Sequence, residues 1–317
     1  MGPNDLEGCM SLPTEFHDLA GRVNNWGRWG DSDEKGTLNL ITDAVVRDAV
    51  ATVRSGRRVP LALPLRHDGV QTGVIPGRIN PLHTMVAVNR ELFGAGTVAT
   101  SDDIVTMGLQ AATHWDGLAH VSHGGRLYNG RPADSITPHD GASFHGVEKT
   151  GPVVSRGVLL DVAAARGTDR LAGDHAVTPE DLEAAEEWAG TRIRPGDIVL
   201  VRTGQIQRYL AGEKDAYAHP SPGLSLRTPE WFHARDVAAV ANDTLTFEIV
   251  PPEVPDLWLP VHALHLVEMG MLQGQNWNLE ELSRACADEG RYAFLLMATP
   301  EPFVGGVGSP VAPVAVL

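Results

Sequence analysis

Residues 110–130 read QAATHWDGLAHVSHGGRLYNG and set His114, Asp116 and His120 at i, i+2 and i+6. Side chains of an extended chain alternate between two faces, so this spacing turns two imidazoles and a carboxylate the same way. On a helix, positions 114 and 116 would diverge by about 200°. The stretch therefore reads as a strand entering a loop. Imidazole and carboxylate are donors that hold zinc or manganese, and such an ion activates water. A histidine-rich surface loop is the competing reading of the same spacing.

A metal site needs a second segment. VHALHLVEMGMLQGQNWNLEEL, residues 261–282, offers His262 and His265 at i, i+3 on an apolar stretch. That context favours core or surface histidines over ligands, and Glu268 reads as a solvated helix face. Gln275 could offer an amide oxygen, a weak donor to metals. Tryptophan outnumbers tyrosine, seven to four. Trp26, Trp29, Trp115 and Trp277 are candidates for an apolar wall around an aromatic substrate, with core packing as the alternative. A serine hydrolase is poorly supported, because no G-x-S-x-G elbow occurs and Ser309 sits in a Gly-Ser-Pro turn. Cys286 reads as a buried structural thiol, and Cys9 lies in an N-terminal segment.

The elements that must position these groups are signalled in turn. Thr42 caps an apolar-striped helix that Gly56 ends. Thr178-Pro179 and Thr228-Pro229 open two more, and Asn278 caps a fourth that stops at Gly290. Strands are expected at 158–162, 198–202, 237–241, 293–297 and 311–316. Helices and strands mix without a βαβα rhythm, which predicts an α+β chain, a mixed sheet with helices around it. Neither a G-x-G-x-x-G fingerprint after a strand nor a phosphate-binding P-loop is present. We expect one domain over residues 1–317, with 1–20 as an extended N-terminal segment.

The 317 residues are 43% hydrophobic with net charge −15, which excludes a basic nucleic-acid footprint and attraction to anionic membranes. The N-terminus lacks a secretory pattern, and no apolar run approaches ~18 residues. A cytoplasmic protein acting on a small molecule is expected.

Together these segments resemble the cyclase family of metal-dependent hydrolases, which includes bacterial kynurenine formamidase, isatin hydrolase and some polyketide cyclases. The family pattern H-x-G-T-H-x-D-x-P-x-H reads here Gln110-Ala-Ala-Thr-His114-Trp-Asp116-Gly-Leu-Ala-His120. WGRWGDSDEKGTLNLIT, SRGVLLDVA, PGDIVLVRTG and the C-terminal RYAFLLMATPEPFVGG follow in the family's order. The resemblance implies a swivelling β/β/α-type fold in homodimers or homotetramers. It implies His114, Asp116 and His120 as metal ligands. Gln110 stands where the family has its first His, and Gln275 where it has a metal-binding Glu. His262 matches the family's later His and is expected, with Gln110, beside the substrate. With Asp116 as the one confident anionic ligand, a close pair of dications would be under-neutralised, so a single ion, Mn or Zn, is expected. Gln275 becomes a candidate neutral ligand, and His120 a third ligand or the general base. The reaction implied is hydrolysis of an amide, lactam or lactone. A polyketide-type cyclase or lyase using the same site is the alternative, and a non-catalytic ligand-binding homologue the third reading.

Overall fold

The segment bearing His114 and Asp116 is a strand, as its spacing predicts, and it lies inside a nine-stranded mixed sheet. The structure, a computed structural model, describes residues 13–317. In chain order the strands are β1 (Arg58–Pro60), β2 (Leu82–Glu91), β3 (Ala99–Thr106), β4 (His114–Asp116), β5 (Val154–Asp161) and β6 (Ile198–Arg202). They continue with β7 (Ala239–Asn242), β8 (Leu272–Gln275), β9 (Ala293–Met297), β10 (Gly308–Pro310) and β11 (Val314–Val316). The sheet order is β1-β11-β9-β5-β6-β7-β8-β4-β10. β5, β6, β7 and β8 run parallel, and the flanking pairs are antiparallel. β2 and β3 pair only with each other, outside this sheet.

The middle of β5 and most of β6 carry aliphatic side chains at successive positions, as parallel strands covered on two faces do. Val158, Leu160, Val199 and Val201 enter one core, while Leu159, Ile198 and Leu200 enter the other. Helix α1 (Thr14–Val23) and helix α3 (Pro179–Trp188) cover the first face through Phe16, Leu19, Leu182 and Ala185. Helix α4 (Glu280–Glu289) covers the second through Leu282, Ala285 and Cys286. Burial pushes the Cys286 thiol up to about 12, which makes it an inert packing residue.

Most local signals work as expected. Thr42 Oγ1 accepts from Val45 N at the start of helix α2 (Asp43–Val50), and Thr178 with Asp181 forms a reciprocal capping box. Helix α2 ends before the expected Gly56, because Ala51 closes its last turn. The expected extended segment over 1–20 is a helix from Thr14 onward, since Phe16, Leu19 and Val23 recur at helical spacing and are buried. Positions 1–12, including Cys9, lie outside the described residues.

His262 opens an unusual element. Pro260–His262 is one α-turn, and Ala263–Met269 continues as a π-helix that stops at Gly270. Gly270 has φ +65°, and its carbonyl accepts from Thr37 N at 2.9 Å. A Cβ on Gly270 would run into the Tyr128 ring, which is buried. Strained backbone and overpacking add here, so Gly270→Ala should cost roughly 2–4 kcal/mol, read as a lower urea midpoint.

Candidate metal centre

β4 is flanked by β8 and β10 in fixed register. His114 lies opposite Gln275 and Pro310, Trp115 opposite Gly274 and Ser309, and Asp116 opposite Gln273 and Gly308. Directly opposed residues share a face, so His114, Asp116, Gln273 and Gln275 stand together on one side of the sheet. The same alternation sends Trp115 to the other side. There its indole N–H donates to Ala298 O at 2.7 Å, and its ring meets Trp277 edge-on at 4.9 Å. Trp277 donates to His114 O from beneath. Both indoles are fully buried core, which corrects the expectation that they wall a substrate pocket.

His114 and Asp116 are wholly buried. His114 Nδ1 lies 2.7 Å from Ala112 O. A carbonyl can only accept, so Nδ1 carries the proton and the Nε2 lone pair faces inward. That nitrogen sits 3.3 Å from Asp116 Oδ1, at an angle that makes no hydrogen bond. A lone pair facing a carboxylate oxygen is repulsive unless a cation joins them. His120 Nε2 is 3.5 Å from the same Oδ1. Two donors bound at about 2.1 Å around a tetrahedral ion stand about 3.4 Å apart, so these separations suit one ion. Among the described residues, no group of three or more His, Cys, Asp or Glu side chains is placed to hold a metal ion as it stands. Both separations run to Asp116 Oδ1, the atom that the two imidazoles share.

His120 arrives differently from expectation. The strand ends at Asp116, and His120 N donates to Gly117 O at 2.9 Å, so a turn, not extended chain, brings the ring back. About a fifth of its side chain is exposed. Burial lowers the His120 pKa to about 4 despite Asp116, so the ring is neutral and one of its nitrogens carries a lone pair. Such weak basicity suits a ligand better than the expected general base. Asp116 is held well below the usual carboxylate range, because His120, His114 and His262 outweigh the cost of its burial.

His262 completes the group from the π-helical segment. Its Nε2 is 3.6 Å from Asp116 Oδ2 and 3.0 Å from Gln275 Nε2, and its Nδ1 bonds Glu248 Oε1. Burial opposes the charged form, but Glu248 prevails and raises the His262 pKa. A carboxylate behind an imidazole fixes its tautomer and orientation. Gln275 Nε2 also donates to Asp116 Oδ2 at 2.7 Å. A metal ligand would present the amide oxygen, so Gln275 here braces Asp116 and does not act as the expected ligand. Gln110 places its Nε2 against Gly308, the register partner of Asp116, and that nitrogen is buried without a partner.

Sequence reasoning missed Arg78, Glu248 and Gln273, and discounted His265. Arg78 Nη2 approaches His120 Nε2 at 3.4 Å, and its Nη1 is buried and unpartnered. Of ten buried side-chain nitrogens and oxygens without partners among the described residues, seven belong to Arg78, Gln110, His114, Asp116, His265 and Gln273. Such atoms are rare in folded proteins, and their concentration marks this place as built for something else. By contrast Trp26 donates to Val267 O, and Trp29 stacks under Arg28; neither has a hydrogen bond or ring contact with the histidines. Glu268, expected on a solvated face, is buried and bonds His123 and Asn24. The crevice beyond β5 and β6, where open sheets often bind ligands, is an open pocket that Arg202 and Glu280 help to line, with Arg202 tied to Asp161 and Glu280.

The family model described as "Putative cyclase" matches residues 38–249. A crystal structure described as a novel cyclase superposes with TM-score 0.85 at 35% identity, over 93% of this chain and 100% of the other. Isatin hydrolase A from Labrenzia aggregata, bound to benzyl benzoate, gives 0.59 at 21% identity, over 85% of this chain and 98% of that one. A predicted metal-dependent hydrolase from Bacillus stearothermophilus gives 0.52 at 16%, over 82% and 97%. The last two likenesses are of fold. No curated protein sequence matches the chain.

Proposed function

The chain belongs to the cyclase family, and from that premise we propose that it is a metal-dependent hydrolase opening an amide, lactam or lactone bond of a small cyclic or aromatic substrate. The observation that carries this reading is the opposed pair His114 Nε2 and Asp116 Oδ1, buried, unpartnered and 3.3 Å apart. His114, Asp116 and His120 would hold one divalent ion, manganese or zinc. Bound there, such an ion supplies Lewis acidity toward water and a carbonyl oxygen.

The chain's own residues do the rest. His262 Nε2 takes a proton from the attacking water and returns it to the leaving nitrogen or oxygen, while Glu248 holds Nδ1–H, the arrangement of an oriented base. Gln275 and Gln273 donate to Asp116 Oδ2 and keep Oδ1 turned inward. Arg78 offers the free Nη1–H groups to the developing oxyanion and to the carboxylate product. Arg78→Ala should lower kcat/KM by about 10²-fold with metal content unchanged, and Arg78→Lys should recover part of it. Steady-state kinetics beside elemental analysis checks both.

A cyclase or lyase reading has in its favour the descriptions of the family model and of the 35%-identical neighbour as cyclases. The same groups could enolise a substrate without water attack. Incubation with a panel of formamides, lactams and lactones, followed by mass spectrometry, separates the two. Hydrolysis opens a lactam or lactone to a product heavier by one water and splits a formamide into formate and the amine; a product of unchanged mass would replace the hydrolase with a cyclase.

A further inference from the structure

We propose that His265 is a positioning residue of the centre: its ring N–H holds the Gln273 amide, and that amide holds Asp116. The consequence for metal binding rests on the metal centre proposed above. His265 is wholly buried, and neither ring nitrogen has a hydrogen-bond partner. Phe232 and Phe247 meet its ring edge-on at 5.7 and 5.5 Å. An aliphatic side chain would fill such a place without burying polar atoms. A dry imidazole there is costly unless its N–H finds an acceptor.

Gln273 supplies one. β8 lies beside β7 with Gln273 opposite Val240, and Val240 enters the same core as Phe232 and Phe247. Paired residues share a face, so the amide leaves the sheet on the side where the ring stands. The backbone draws the two together, since Met271 N donates to His265 O at 2.8 Å just before β8 begins. Gln273 Oε1 is itself buried without a partner. Burial, with His262 nearby, lowers the His265 pKa to about 3, and the Gln273 side chain opposes that shift, which marks ring and amide as neighbours. The ring is therefore neutral, with one N–H to give.

An amide has a donor end and an acceptor end. Asp116 Oδ2 takes the donor end, Gln273 Nε2, at 3.4 Å. Turned over, the amide would set its oxygen against the carboxylate. An N–H from His265 at the far end favours the first orientation. Gln275 holds the same Oδ2 at 2.7 Å, so Gln273 is the looser brace and the one that needs support. With Oδ2 engaged twice, Oδ1 stays toward His114 and His120.

The test is zinc affinity by competition with a chromogenic chelator, beside circular dichroism, on wild type, His265→Leu, His265→Asn and His265→Gln. Groups that orient a metal ligand from behind change affinity by about 10–100-fold, and His265 stands one bond further back, so His265→Leu should weaken zinc by roughly 5–10-fold in a folded chain. One of the two amide variants, which restore an N–H, should recover most of that loss. In a double-mutant cycle, adding Gln273→Leu to His265→Leu should change affinity less than Gln273→Leu does alone. Wild-type affinity in His265→Leu, equal loss in all three variants, or fully additive losses overturns the proposal. Should His265→Leu not fold, nitrogen NMR of histidine-labelled wild type decides. One fixed tautomer of His265 with a slowly exchanging N–H supports the proposal, and a mixture of tautomers refutes it. That readout needs no metal, so a wild type that takes up no zinc would sink the metal centre while the hold of His265 on Gln273 is still judged.

Discussion

Asp116→Asn should lower kcat/KM by on the order of 10³-fold or more while the chain stays folded. Among the described residues Asp116 is the one carboxylate facing the centre, because Glu248 lies behind His262. Asparagine keeps the volume, so no cavity opens. It removes the anion that three imidazoles face, and with it the charge that would offset a divalent ion. Circular dichroism should show a folded protein, and the kinetic loss should persist at saturating metal if Asp116 also sets the ligand geometry. Activity within ten-fold of wild type would place the chemistry elsewhere.

Gln275→Glu should act in the opposite sense on metal affinity. The amide nitrogen now lies 2.7 Å from Asp116 Oδ2 and 3.0 Å from His262 Nε2. A glutamate there sets two carboxylates against each other in a buried place. Without metal, that repulsion lowers stability or forces one carboxyl to keep a proton. With metal, the second anion strengthens binding and can draw a second ion. The expected result is at least ten-fold tighter metal binding and a wider Tm gap between loaded and metal-free protein, since a ligand that binds only the folded state stabilises it. Calorimetric titration and thermal melts read both. Destabilisation that added metal does not relieve would mean that Asp116 Oδ2 and Gln275 form a purely structural bond.

How far the centre could be read in advance depended on whether its parts are local. His114 and Asp116 were legible because strand alternation alone puts them on one face. The same alternation, followed one step further, removes Trp115 from the site, and the lure of an aromatic beside histidines hid that. His120 comes near Asp116 for a reason its spacing did not give, since a turn at Gly117 carries it back. His262 enters through a π-helical segment whose geometry has no sequence period, and Glu248 and Arg78 reach the centre from loops remote in sequence. No spacing rule links such positions. Elements with strong caps or long aliphatic runs, such as α3 and β6, were placed to the residue or nearly so. The hairpin went unread because its strands are not half-buried on this chain, so they lack the alternation that marks an ordinary strand. The Gly94-Ala-Gly96 turn between β-branched runs was the signal available.

The most direct measurement is metal per chain in the purified protein by elemental mass spectrometry, beside Asp116→Asn. The account predicts about one manganese or zinc per wild-type chain and close to none in the variant. Two ions per chain would mean that Gln275 and His262 take part in a second site. An absence of bound metal after reconstitution with either ion would contradict the central claim, leaving the opposed His114 and Asp116 atoms without the cation that explains them.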